Sequence, residues 1–233
     1  MALLNTNETG RFISILGSDG TFREKVDKET PGAKFREYEV KDSKTKETVK
    51  GSKWELVYNN IVGHIESIDF FSGDYGKQIH VKISDQDEDV IWAQDVSSQF
   101  TEDFLKKLPN VDLSRPVKLV PFAFTTETGK LKKGITLYQG DTKVTNFFYD
   151  GVKNVNGYPD PEKPGAEMEN DDWKVYFIKA RQFLVDYTAK NVIPKLETVQ
   201  RVYDEPTPQI SRNQVAKKID YPDEEINPED IPF

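Results

Sequence analysis

The chain has 233 residues, of which 31% are charged and 36% apolar, with a formal net charge of -8 and no cysteine. That length supports one domain with a real core, and the missing cysteines exclude disulfides, thiol catalysis and cysteine-ligated zinc. No apolar run approaches the ~20 residues that cross a bilayer, and MALLNTNETGR lacks the basic start and apolar stretch of a signal peptide, so a cytoplasmic location is expected.

In chain order, residues 1–33 mix short apolar pieces with turn residues (Gly10, Gly17, Gly20, Pro31, Gly32) and read as an N-terminal arm with one or two short strands. KDSKTKETVKGSK, 41–53, reads as a basic hairpin or solvated loop. From WELVY onward the pattern is strand, with Trp54, Leu56 and Tyr58 on one, inward face. In IVGHIESIDF the apolar parity switches between Ile65 and Ile68 and Gly63 lies inside the run, which predicts a bulged, bent strand. QIHVKIS alternates cleanly, with Ile79, Val81 and Ile83 inward and His80 and Lys82 outward; DVIWAQDV gives a third strand.

Thr101 is the expected N-cap of a short helix carrying Phe104, Leu105 and Leu108, stopped by Pro109. RPVKLVPFAF is a fourth strand whose Pro121 places it at an edge or bulge. GITLYQG with KVTNFFYDG supplies a fifth strand or a terminal hairpin. After a proline-punctuated loop, Asp171 or Asp172 caps a long helix with Trp173, Tyr176, Phe177, Ala180, Leu184 and Tyr187 at helical spacing, running until Pro194. Beyond Val202 the chain is polar enough to be expected disordered.

Three strands, a helix and two further strands is the order of an OB-fold, a five-stranded barrel with its helix between strands three and four. The expected architecture is therefore mainly β: an arm and basic hairpin or loop (1–53), the barrel (54–150), a proline-rich loop with a packing helix (151–201), and a disordered linker with an acidic tail (202–233). A generic antiparallel sandwich is the alternative.

Motifs for catalysis fail one by one. DQDED, 85–89, lacks the glycine and distal glutamate of a calcium loop; GDYGK, 73–77, is too short for a phosphate-binding loop; no G-x-S-x-G elbow occurs. No catalytic residue, metal or cofactor is assigned. What remains is a binding surface of rings beside bases: His80, Lys82, Trp92, Lys118, Phe122, Tyr138, Lys143, Phe147 and Tyr149, with Lys130, Lys132 and Lys133 in the turn between strands four and five. Rings stack on any base and lysines follow any phosphate backbone, so this mixture predicts binding of single-stranded DNA without sequence preference.

The last residues bear on partners. From Asp220 onward there are six acids and no base, and removing them leaves 34 acids against 32 bases, so the body is nearly neutral. DEEINPEDIPF, Asp223 to Phe233, resembles the acidic, apolar-tipped C-terminus of bacterial and phage single-stranded DNA-binding proteins. The resemblance implies that Asp223, Glu224, Glu225, Glu229, Asp230, Ile231, Pro232 and Phe233 dock on replication, recombination and repair proteins. It also implies a phage-encoded monomer or dimer rather than a tetramer. A protein-interaction adaptor without a nucleic-acid face and a metal-dependent nuclease are the rival readings.

Overall fold

The computed structural model of the chain describes residues 10–41, 47–73, 76–85 and 88–202. Alternation of apolar and polar residues builds β1 (Arg11–Leu16), β2 (Thr21–Val26), β3 (Lys34–Lys41), β4 (Thr48–Tyr58), β5 (Ile61–Gly73), β6 (Gly76–Ser84), β7 (Asp89–Asp95), β8 (Val117–Thr125), β9 (Leu131–Gln139) and the two-residue β10 (Thr142–Lys143). They form one sheet of order β10-β9-β8-β5-β6-β7-β1-β2-β4-β3. Every pairing is antiparallel except β1 with β7, where Phe12 lies beside Ile91 and Ile13 beside Trp92.

The expected OB-fold is therefore not what forms. The sheet is ten-stranded, mixed and open, its ends are β10 and β3, and among the described residues no ladder joins them. The segment expected as an arm supplies β1 and β2, which sit inside the sheet between β7 and β4. Glycine at position 20 (φ 64°) lets the β1–β2 turn lie against β8: a Cβ there would come within 2.3 Å of the backbone of Phe122 and Ala123.

Local readings fare better. Ile79, Val81 and Ile83 are buried as the alternation requires. The β5–β6 register shifts between Ile65 and Ser67, at the place where the parity switches. The bulge leaves Glu66 out of the ladder, and its carbonyl and that of Ile65 face the Arg201 guanidinium at 3.4 Å, while the Glu66 carboxylate pairs with Arg201 at 2.8 Å. Val202 then donates to the Ser114 carbonyl in the turn that precedes β8. WELVY keeps Trp54, Leu56 and Tyr58 on one face as expected, half-buried, with Tyr58 across from the core residue Phe22 and packed against the core, while Glu55 is buried on the opposite face.

α1 (Gln99–Lys107) starts one turn earlier than expected, capped by Ser98, whose hydroxyl accepts from the Phe100 amide; Thr101 lies within it and donates to the Asp95 carbonyl. α1 lays Phe100, Phe104 and Leu105 onto the sheet, where Phe104 meets the fully buried Trp92 edge-on at 5.1 Å and Trp92 meets Phe22 at 6.3 Å. α2 (Asn170–Asn191) begins with a capping box between Glu169 and Asp172. Its C-terminal half packs through Ala180, Leu184, Val185 and Thr188, and Phe183 and Tyr187 close around Phe148 at 5.5 and 4.9 Å. Pro194, expected as a stop, lies in the short α3 (Ile193–Leu196). Among the described residues, no helix is long and apolar enough to cross a membrane.

Candidate functional site

Three strands deliver a row of rings to the outer face of the sheet. In β1, burial of Ile13 and Ile15 turns Phe12 outward. In β6, the same alternation turns His80 outward. In β5, the bulge resets the parity so that Ile68 is buried and Asp69 and Phe71 are exposed. His80 contacts Phe71 at 4.4 Å between centroids and Phe12 at 5.8 Å, edge-on. Ala93 stands opposite His80 on β7, and its small side chain leaves the space that Phe12 crosses from β1. Phe12 and Phe71 remain 48% and 50% exposed, so the rings form an ordered apolar strip that water still reaches.

The rim of the strip is acidic. Asp69 is paired across from His80, and Asp95 across from Gln78. The one lysine in the outward row of β6, Lys82, bonds to Asp89 at 2.8 Å, and that ammonium, with Ser84, holds the Asp89 carboxyl below its ordinary range.

Two polar networks stiffen the neighbouring strands. Arg11 grips Glu24 with Nε at 2.8 Å and Nη2 at 2.6 Å, Tyr58 donates to the same carboxylate at 2.7 Å, and Glu88 pairs with Arg11 from the far side. Burial, then the bond to Glu24, pushes the Tyr58 phenol up. Glu55, 1% exposed, accepts from Arg36 at 2.7 and 3.0 Å and pairs with Lys53 at 2.7 Å, with Arg23 at 3.9 Å. Burial alone would raise its carboxyl, but the bonds from Arg36 and Lys53 prevail and hold it at about 2. Among the described residues, no three His, Cys, Asp or Glu side chains converge as metal ligands would.

The residues predicted from sequence are scattered over this frame. His80 and Lys82 lie on β6, separated by β5 from Lys118 and Phe122 on β8. Lys118, Tyr138 and Lys143 make a cross-strand row over β8, β9 and β10, and Phe122 packs beside the exposed Phe124 at 6.0 Å. Lys130, Lys132 and Lys133 follow the β8–β9 turn. Trp92 is a core residue with no exposed surface. Phe147 is half-buried against Phe148 and Tyr187 beyond the last strand, and Tyr149 is exposed in the following loop. Phe12 and Phe71 were absent from the sequence-derived set, although the parity of RFISIL and of the bulged β5 marks both as outward.

The expected function falls with the architecture on which it rested. A single-strand groove was inferred from five strands closed into a barrel, and the open ten-stranded sheet provides no such channel. The DNA ligand, the replication, recombination and repair partners, the monomer-or-dimer assignment and the phage origin lose their structural basis with it. The tail residues Asp223–Phe233 lie outside the described residues. No protein-family model matches the chain, and comparisons with curated proteins and with solved structures find no similar protein.

Proposed function

We propose that this is a non-catalytic, cytoplasmic binding protein that docks a polypeptide partner on the Phe12–His80–Phe71 strip. The carrying observation is the contact of three outward rings, two of them half exposed, drawn from three strands of one rigid sheet. Neighbouring aromatic anchors held in place before binding cost little ordering entropy and dominate binding energy when covered. The carboxylates of Asp69 and Asp95 on the same face select the partner's chemistry: an apolar side chain flanked by arginine or lysine fits both the rings and the rim.

Peptide display against the intact protein tests this. Selection is expected to enrich sequences that place arginine or lysine beside an aromatic or aliphatic residue, with amide shifts clustered at Phe12, Phe71 and His80. The double variant Phe12→Ser, Phe71→Ser should bind the selected peptides at least tenfold more weakly. Equal binding by the variant, or enrichment of acidic peptides, refutes the reading.

A further inference from the structure

The two ends of the sheet are finished differently. Beyond β9, the open edge is covered by α1 and its neighbours: the Ile135 amide donates to Asp103 Oδ2 at 2.8 Å, Lys107 Nζ donates to the Ile135 carbonyl at 2.6 Å, and the Val144 amide donates to the Leu137 carbonyl at 2.8 Å. At the other end, among the described residues, β3 is the last strand and pairs on one side only, with β4, along its eight residues. Alternate N–H and C=O groups of β3 therefore point away from the sheet. A long edge strand of this kind is a ready template for another strand.

Beside this edge, a groove of about 560 Å³ lies over the β3–β4 ladder, lined by the cross-strand pairs Glu37–Ser52, Tyr38–Gly51 and Glu39–Lys50. Tyr38 lies flat over position 51, where a Cβ would come within 2.5 Å of its ring, so glycine is what allows the ring to lie down and the groove to open. Arg36 and Lys53 hold the ring by cation–π contacts at 5.6 Å each, and both are anchored by Glu55. The edge is therefore built on a fixed base.

We infer that β3 is a strand-addition site for an extended polypeptide carrying basic residues at alternate positions. The occupant follows from charge. Phe35, Glu37 and Glu39 share one face of β3, and all three are exposed. A second copy of β3 is a poor partner: two-fold pairing centred on Tyr38 sets Glu37 against Glu39 twice, centring on Glu37 opposes two glutamates, and centring on Arg36 opposes two arginines. An incoming antiparallel strand of the pattern basic-x-basic-x-apolar places its two cations across from Glu39 and Glu37 and its apolar residue across from Phe35. Main-chain bonds then supply affinity, and the alternate side chains supply selection. This surface lies at the far end of the sheet order from β6, so it is independent of the aromatic strip.

The test uses the full-length protein, ¹⁵N-labelled, and a ten-residue synthetic peptide centred on Arg-Thr-Arg-Thr-Val, alongside a version with glutamate in place of both arginines and a version N-methylated at alternate residues. The arginine peptide is expected to shift the amides of residues 34–39 and to slow their hydrogen exchange. The variant Glu37→Lys, Glu39→Lys should lose at least tenfold in affinity for it and bind the glutamate peptide instead; both side chains are exposed, and an unchanged thermal melt confirms folding. Phe12→Ser, Phe71→Ser should leave this binding unchanged, which separates it from the aromatic strip. Three results overturn the inference: binding that survives N-methylation, shifts confined to other strands, or a dimer abolished by the charge reversal.

Discussion

Replacing Glu55 by glutamine removes one charge from the interior while leaving the shape of the side chain intact. The carboxyl sits at about 2 instead of 4.5, the ordinary value, because Arg36 and Lys53 bond its ionised form. At about 1.4 kcal/mol per pH unit, this depression is worth roughly 3 kcal/mol of stability at neutral pH. That agrees in scale with the ~3–5 kcal/mol expected when one partner of a buried ion cluster is removed. The contribution is fully present above the unfolded-state value and is lost as pH falls through the folded-state value. By pH 3 about half of it has gone, because the unfolded carboxyl is protonated there while the folded one is still ionised. Urea unfolding of the parent and Glu55→Gln should therefore show a deficit of about 3 kcal/mol at pH 7 that shrinks by about half at pH 3. A deficit below about 1 kcal/mol at pH 7, or one that is the same at both pH values, would refute the reasoning that this cluster ties β3 to β4.

Two further substitutions probe the frame by the same unfolding measurement. Gly20→Ala should cost several kcal/mol, because the added methyl meets the backbone of Phe122 and Ala123 in addition to the strain of φ 64°, whereas Gly129→Ala, with φ 76° and open space around it, should cost only about 1 kcal/mol. Phe104→Ala empties the space against Trp92 and should cost ~3–5 kcal/mol, with loss of the near-ultraviolet signal of that tryptophan.

What could be read from the chain was local. The inward set of β6, the bulge of β5 and both main helices follow from periodicity, since neighbouring residues in the sequence decide them. Strand neighbours do not follow. Nothing in RFISIL says that its partner is β7, some 80 residues on, and without that pairing three strands, a helix and two strands read as a small closed barrel. Glu55 went unmarked for a related reason. Its burial is set by Arg36 and Arg23, which arrive from β3 and β2 to join Lys53 of its own strand in neutralising it. The aromatic strip was half legible: His80 was found from alternation, but Phe12 and Phe71 join it only through the sheet order and the parity reset of the bulge.

The parallel seam between β1 and β7 also sets a timetable for biosynthesis. The first hairpin, β1 with β2, leaves the ribosome long before residues 89–95 exist, and must wait with one flank bare. Closing that seam joins β6 and β7 to β1 and β2 across a long sequence separation, a slow step that leaves the newborn chain sticky until it is complete. Deleting β1, residues 11–16, would therefore cut the sheet in two rather than shorten it.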